Sequence, residues 1–286
     1  MVSLHVLVRS LSQLRDVLEL GERSLFADFA DIRQYREAVE VAHARGATIQ
    51  LATPRIQKPD EMGIFRLMVK AEPDGVLVRN WAALKFFRAA GLPVVGDFSL
   101  NVTNERTAEF FMAAGCGRVT ASYDCNREQL LTLVDAVPPE WLEVVVHQHM
   151  PMFHMEHCVF CAVLSPGTNK TNCGRPCDDH AVKLRDRIGV EHPLTADVGC
   201  RNTLYNAVAQ SGAEAVPALL AKSVRHLRVE LLDEDDMAIG KVIAAYRELM
   251  AGVTTGRDVW TALKATNRVG VTRGTLEEKR NPLAIL

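Results

Sequence analysis

Short runs of aliphatic and β-branched residues, closed by polar or turn residues, recur along the chain at 4–8, 24–29, 48–53, 75–79, 93–98, 118–122, 143–149 and 224–231. Each has the length and make-up of a strand. Between them apolar residues fall at helical spacing, as in Leu11-Leu14-Val17-Leu18, Tyr35-Ala38-Val39-Ala42, Trp81-Leu84-Phe87 and Leu130-Leu133-Val134. Gly21, Gly46, Gly91 and Gly115 stand where helices would end in a left-handed residue. The first seven strand starts are 20, 24, 27, 18, 25 and 25 residues apart, and the eighth follows after 81.

Alternating βα units demand right-handed crossovers and a parallel sheet, and eight of them fit a closed (β/α)8 TIM-barrel-like domain. An open doubly wound sheet is the competing arrangement. Its Gly-rich turn after the first strand is missing, since Val8-Arg9-Ser10-Leu11-Ser12 stands there. The expected organisation is one domain over residues 1–250, with an insertion at about 150–222 between strands seven and eight and a C-terminal tail at 251–286.

Composition narrows the class. Of 286 residues 48% are hydrophobic, and 33 Lys+Arg against 35 Asp+Glu leave a net charge of −2, so disorder is excluded and a broad nucleic-acid-binding face is disfavoured. No apolar run reaches the ~18 residues of a membrane span. The start Met1-Val-Ser-Leu-His-Val lacks the order of a signal peptide, and a cytoplasmic location is expected.

In a barrel the C-terminal strand ends and following loops carry the chemistry. Those positions hold Arg55, Arg79, Asn80, Asp97, Asn101, Tyr123, Asp124, His147, His149 and Glu230. Asn101, Asp97 and Asp124 equally suit helix caps and loops. Two guanidinium groups at one barrel mouth, Arg55 and Arg79, suit an anionic ligand.

Cysteine is strongly localised. Five of seven (Cys158, Cys161, Cys173, Cys177 and Cys200) and six of nine histidines fall inside or beside the insertion, whereas Cys116 and Cys125 adjoin barrel elements. In a cytosolic chain such a cluster points to metal binding or catalysis rather than disulfides. Zinc usually takes CxxC pairs, whereas a [4Fe–4S] cluster tolerates looser spacing; one CxxC, one CxxxC and a lone Cys200 leave both open and tilt toward iron–sulfur.

The segments Ala52-Thr-Pro-Arg55-Ile, Val76-Leu-Val-Arg79-Asn80, Gly96-Asp97-Phe-Ser99-Leu-Asn101, His147-Gln-His-Met-Pro151, Glu156-His-Cys158, Cys173-Gly-Arg-Pro-Cys177, Leu184-Arg-Asp186-Arg187 and Asp197-Val-Gly-Cys200-Arg201 together resemble the peptidase U32 family. The similarity reaches from the first strand to Val271-Thr-Arg273-Gly274. The resemblance implies a TIM-barrel-like fold. It also implies kinship with oxygen-independent hydroxylases of RNA bases or the ubiquinone ring, some of which take oxygen from prephenate. By the same resemblance the ligands of a [4Fe–4S] cluster are Cys158, Cys173, Cys177 and Cys200, with Cys161 a neighbour able to substitute.

On that reading His147 or His149 exchanges protons, Arg55 and Arg79 clamp the carboxylates of a prephenate-like donor, and Asn80, Asp97, Asn101, Tyr123 and Glu156 position donor or substrate. The substrate would be an RNA base or a quinone-type aromatic ring. Family members can work in pairs, so a homo- or hetero-oligomer with another U32 protein is an expected partner. Two alternatives stand beside it. One is a collagenase-like U32 peptidase, which needs an activated nucleophile and has no GxSxG elbow here. The other is a non-catalytic subunit stabilised by zinc or a cluster.

Overall fold

The computed structural model describes residues 2–266; Val271–Gly274 and the remainder of the expected tail lie outside the described residues. Eight strands run parallel: β1 (Ser3–Val8), β2 (Ser24–Ala27), β3 (Thr48–Ala52), β4 (Gly75–Val78), β5 (Val94–Gly96), β6 (Arg118–Thr120), the first half of β7 (Leu142–Met155) and β11 (His226–Glu230). Each pairs with the next, and β11 closes the ring by pairing with β1 (Ser3 opposite His226) and with β7 (Glu143 opposite His226). The molecule is therefore a closed (β/α)8 TIM barrel, as its strand rhythm predicts.

Helices α1 (Leu11–Glu19), α2 (Tyr35–Ala44), α3 (Met62–Lys70), α4 (Trp81–Ala89), α5 (Glu105–Ala113) and α6 (Arg127–Ala136) follow the first six strands. Their apolar stripes pack on the outer faces of the strands and form the main core with residues such as Val6, Leu14, Ile49, Phe65, Phe87 and Val119. Side-chain caps start several of them: Ser10, Asn80, Asn104 and Asn126 each accept a backbone N–H three residues on. Gly21, Gly46, Gly91 and Gly115 all have positive φ where a helix ends.

The insertion is a folded layer rather than a loop. Beyond its barrel half, β7 continues to Met155 and changes partner to the antiparallel β10 (Asn202–Ser211), which pairs in turn with β9 (Glu191–Ala196) and β9 with β8 (Val182–Arg185). A short helix, α7 (Val159–Leu164), and the cysteine turns lie between β7 and β8. This four-stranded flap rises from the C-terminal end of the barrel. Pro151 sits where the β7–β10 ladder is interrupted, a place in a paired strand that tolerates a residue without an N–H.

After the flap, α8 (Val216–Ala221) leads to β11, and α9 (Asp236–Met250) follows it. The expected tail begins with a further helix, α10 (Gly256–Thr266), whose Val259 and Leu263 are buried in the main core.

The inside of the barrel is divided. Leu7, Phe26, Ala52, Leu77 and Val95 form a small apolar cluster on one side. On the other, Arg228 donates to Asp97 (2.5 Å) and Glu143 (2.7 Å) and lies 3.0 Å from Glu230. Arg118 reaches Glu143 (2.7 Å), Arg79 joins Asp97 (2.7 Å) to Asp28 (2.9 Å), and Arg9 reaches Glu230 (3.2 Å). Four arginines thus meet four carboxylates in one neutral network, the condition under which buried charge is tolerable.

Candidate active site at the mouth of the barrel

Between the strand ends and the flap lies a cavity of about 190 Å³. Its floor is Arg9, Asp28, Arg79 and Glu230, its sides include Tyr35, Pro54, Arg55 and Phe98, and the flap supplies Pro151, His154, Thr195, Asp197, Thr203 and Tyr205. The position matches the rule that barrel chemistry gathers at the C-terminal face.

Two flap side chains bring hydrogen-bonding atoms without partners. His154 Nδ1 is 2.9 Å from Thr203 Oγ1, which fixes the ring, while Nε2 is buried and unpaired. Burial, reinforced by Arg55, Arg201 and Arg79, pushes this imidazole down to about 4, so it is neutral at physiological pH. Asp197 uses Oδ1 to accept the N–H groups of Gly199 and Arg201 (2.8 and 2.9 Å) and leaves Oδ2 without a partner. Burial pushes its carboxyl up to about 6, against the pull of those N–H bonds and the Arg201 charge.

Of the sequence-derived candidates, Arg55 and Arg79 line the cavity. Arg79 is already held by Asp28 and Asp97. Arg55 has its guanidinium 5.6 Å from the centre of the Phe98 ring and is exposed. Asp97 lies beneath the cavity, wholly buried; burial opposes its ionisation, but Arg228 and Arg79 outweigh that and hold its carboxyl below the usual range. Asn80 caps α4 and donates to the Pro54 carbonyl (2.9 Å), a bracing role for the loop that carries Arg55. Asn101 is an exposed left-handed residue ending a short turn. Tyr123 stacks 4.8 Å from Phe98, and burial pushes its hydroxyl up to about 12.

His147 and His149 do not reach the cavity, contrary to the expectation for strand seven. Arg228 pairs with Val145 but Val229 pairs with His147, so β7 carries one extra residue there. A bulge of that kind reverses which residues face inward. Gln148 consequently lines the cavity. His147 packs edge-on against Tyr246 of α9 with Nδ1 unpaired, and burial pushes it to about 4. His149 bonds the Asn206 carbonyl (2.8 Å) and faces Glu234 (3.4 Å).

Glu156 also lies outside the cavity wall, acting as a clasp. It accepts from Lys58 (2.5 Å) and from Arg201 Nε (2.7 Å), while Arg201 Nη2 reaches Glu61 (2.8 Å). The buried Arg201 thereby ties the Asp197–Cys200 turn to the loop after β3. Gly199 leaves room beside it, since a Cβ there would overlap the Arg201 guanidinium and displace it. Gln148, Asp197 and Arg201 lie inside the segments that resemble the family but had no role of their own there, and Arg9, Asp28 and His154 had no motif to announce them; the strand-end rule could have found Arg9 and Asp28, each one position past its strand.

The five insertion cysteines gather in the flap. The thiols of Cys161, Cys177 and Cys200 are each raised, first by burial and then by neighbouring charges that include Cys158 in every case. Cys158 caps α7, with its sulfur 3.5 Å from the Cys161 N–H and 3.9 Å from Asn202 Nδ2. Cys173 accepts from the Arg175 N–H (3.4 Å), and Cys200 has φ 64. Cys116 and Cys125 are buried in the barrel core, well apart from this group in the fold.

The model of peptidase family U32 matches residues 17–279. The chain belongs to peptidase family U32. This U32 protein has no significant match among curated proteins. Among solved structures it is similar to the U32 peptidase Mk0906 (19% identity, TM-score 0.44, over 52% of this chain and 70% of the other). It is also similar to the YdjI aldolase from Escherichia coli K12 (12% identity, TM-score 0.43, 96% and 93% covered). A third is the 4-hydroxy-tetrahydrodipicolinate synthase from Methylacidiphilum fumariolicum SolV (14% identity, TM-score 0.42, 100% and 91% covered).

Three features of the U32 chain bear on its chemistry. The wall of the cavity has no serine or cysteine among the described residues. A serine–histidine contact does occur, Ser24 Oγ to His5 Nδ1 at 2.7 Å, but at the N-terminal ends of the strands, the face that serves stability. Among the described residues, no three His, Cys, Asp or Glu side chains converge on a point where one metal ion could sit, and no helix is long and apolar enough to cross a membrane.

Proposed function

We propose that this U32 protein is an iron–sulfur enzyme, an oxygen-independent hydroxylase of an RNA base or quinone-type ring, using a prephenate-like carboxylate as oxygen donor. The observation that carries the reading is the joining of two sites by one turn. Asp197 faces the cavity and Cys200, three residues on, faces the other flap cysteines.

Cys158, Cys173, Cys177 and Cys200 are the donors that would hold a [4Fe–4S] cluster, and their irregular spacing in the sequence supports that reading over zinc. A single zinc ion at about 2.3 Å from each sulfur needs thiols that converge on a point, whereas a cluster holds each thiolate at a separate corner. Backbone and amide N–H groups already aimed at Cys158 and Cys173 sulfurs are the kind that stabilise cluster thiolates. When bound, the cluster supplies electron transfer and a Lewis-acidic iron.

The chain's own residues do the rest. Arg55 attracts the donor carboxylate, Phe98 and Pro54 pack on its apolar part, and Arg79 is fixed by Asp28 and Asp97 as part of the floor. His154 Nε2 and Asp197 Oδ2 are the atoms placed to give or take a hydrogen bond with a ligand. The flap covers the mouth and limits water.

Anaerobic purification followed by iron, acid-labile sulfide and visible absorbance measurements tests the cofactor. Stoichiometric zinc without sulfide overturns it. Mass spectrometry of nucleosides and quinones from a deletion strain and its complement tests the reaction, and identical profiles in both overturn the hydroxylase.

A further inference from the structure

Four buried polar atoms on residues that line the barrel-mouth cavity have no hydrogen-bond partner among the described residues: Arg9 Nε, Glu230 Oε1, His154 Nε2 and Asp197 Oδ2. Glu230 Oε1 is answered by the Arg228 charge at 3.0 Å. Arg9 commits Nη1 to the Leu231 carbonyl and Nη2 to Glu230 (3.2 Å), but its Nε lies 3.8 Å from Asp28 Oδ2, beyond hydrogen-bond reach. Asp197 commits Oδ1 to two backbone N–H groups and keeps Oδ2 free.

Arg9 and Asp197 share a corner. The Asp28 charge acts on both of them, and Tyr35, which also lines the cavity, feels Asp28 and Asp197 together. His154 lies on the Arg55 side, where that guanidinium is, after burial, the largest influence on its ring. The rest of the wall includes Phe29, Pro54, Phe98 and Pro151, and the volume, about 190 Å³, is below the ~300 Å³ at which drug-sized ligand sites begin.

Buried donors and acceptors are satisfied by protein, ordered water or ligand, and a ligand that displaces water without replacing its hydrogen bonds loses affinity. Arg9 Nε only donates, and the Asp197 carboxylate only accepts. A ligand filling this corner therefore has to present an acceptor to one and a donor to the other. A hydroxyl does both with a single oxygen, whereas an ether or ketone only accepts and a methylene does neither.

We infer that the corner between Arg9 and Asp197 is a hydroxyl subsite: the cavity takes a small ring acid bearing an alcohol, with its carboxylate at Arg55 and its hydroxyl donating to Asp197 Oδ2 and accepting from Arg9 Nε. The inference rests on the reading of the cavity as the donor site and deepens it, since a prephenate-like acid carries a ring alcohol as well as carboxylate.

Ligand-observed NMR titration of the anaerobically purified full chain at pH 8 tests it, with cyclohexanecarboxylate, cis- and trans-4-hydroxycyclohexanecarboxylate and their 4-methoxy ethers as probes. One hydroxy acid should bind about tenfold or more tightly than the parent acid, the scale of a hydrogen bond to a charged group. Its methyl ether, which cannot donate, should lose most of that gain. Asp197→Asn keeps an oxygen for the Gly199 and Arg201 N–H groups and turns an amide donor toward the cavity, so the hydroxyl gain should disappear. Arg9→Lys keeps a charge for Glu230 without the Nε donor and should also erase it. Unchanged affinity for cyclohexanecarboxylate in both variants shows that the site remains folded.

Hydroxy acids no tighter than the parent acid, a methyl ether as tight as the alcohol, or a full hydroxyl gain in either variant overturns the inference. If the parent acid still weakens on Arg55→Gln in that case, the donor site stands without its hydroxyl subsite. If no acid binds at millimolar concentration, inference and donor site fall together. If the hydroxyl gain follows Asp197 and Arg9 but no iron or sulfide copurifies, the cluster fails and the inference stands.

Discussion

Arg228 and Asp97, on opposite sides of the barrel lumen, meet at 2.5 Å with both side chains fully buried. Arg228 also serves Glu143 and Glu230, so one guanidinium links three carboxylates, each of which it shares with a second arginine, Arg79, Arg118 or Arg9. The Arg228 charge stays fixed well above its ordinary range, because burial is outweighed by those carboxylates. Replacing it with Met leaves four carboxylates to three arginines in a buried network, and breaking a buried pair from one side costs about 3–5 kcal/mol. The variant should lose that much in urea unfolding, and a loss below ~1 kcal/mol refutes the account.

The pair His149–Glu234 makes stability depend on pH in a definite direction. Burial opposes both charges. Glu234 outweighs it at His149, whose pKa is raised above 6.5, and His149 outweighs it at Glu234, whose pKa falls to about 2. The histidine contribution is complete below the unfolded value and is lost as pH rises through the folded one. The glutamate contribution is complete above about 4.5 and is lost as pH falls toward 2. Stability due to the pair therefore peaks between about pH 4.5 and 6.5, and Glu234→Gln should flatten the melting-temperature profile there. An unchanged profile contradicts the pairing.

Cysteine substitutions separate ligands from neighbours. Cys158→Ala, Cys173→Ala, Cys177→Ala and Cys200→Ala should each reduce copurified iron and sulfide severalfold, and Cys161→Ala should retain most of both. Equal loss in all five, read by iron and sulfide assay, moves Cys161 into the ligand set.

Arg201 is the fastener between flap and barrel. Arg201→Ala removes its contacts to Glu156 and Glu61 and leaves both carboxylates facing a gap, so the turn from Asp197 to Cys200 should exchange amide hydrogens at least tenfold faster. Protection equal to the parent chain argues against this role.

Arg55→Ala tests whether the mouth is catalytic. Loss of the cellular modification with iron content unchanged supports an enzyme, and persistence of the modification favours the non-catalytic subunit.

Much of this was readable in the residues. The eight-strand rhythm and the four glycine helix ends came through because each depends on local pattern: apolar runs of strand length, helical periodicity, and backbone angles that glycine adopts readily. The cysteine grouping was equally plain from spacing. Strand seven was not, because its bulge is a pairing event: nothing in Val144-Val-Val-His147 marks which residue will be left over. His154, and the role of Asp197 within its motif, were hidden for a related reason, since both reach the cavity only when β10 pairs back on β7 and folds the insertion over the barrel. The paired state of Arg79 was likewise invisible, as its partners Asp28 and Asp97 come from two other strand ends.

Met155 and Asn202 face each other across the β7–β10 ladder. Residues 156–201, with all five clustered cysteines, thus leave and re-enter the fold at a single doorway. The segment is in this sense a cartridge: a short hairpin turn from Met155 to Asn202 would remove it whole while every barrel strand kept its neighbours, taking the cysteines together with the one side of the cavity wall, Thr195 to Val198, that travels with them.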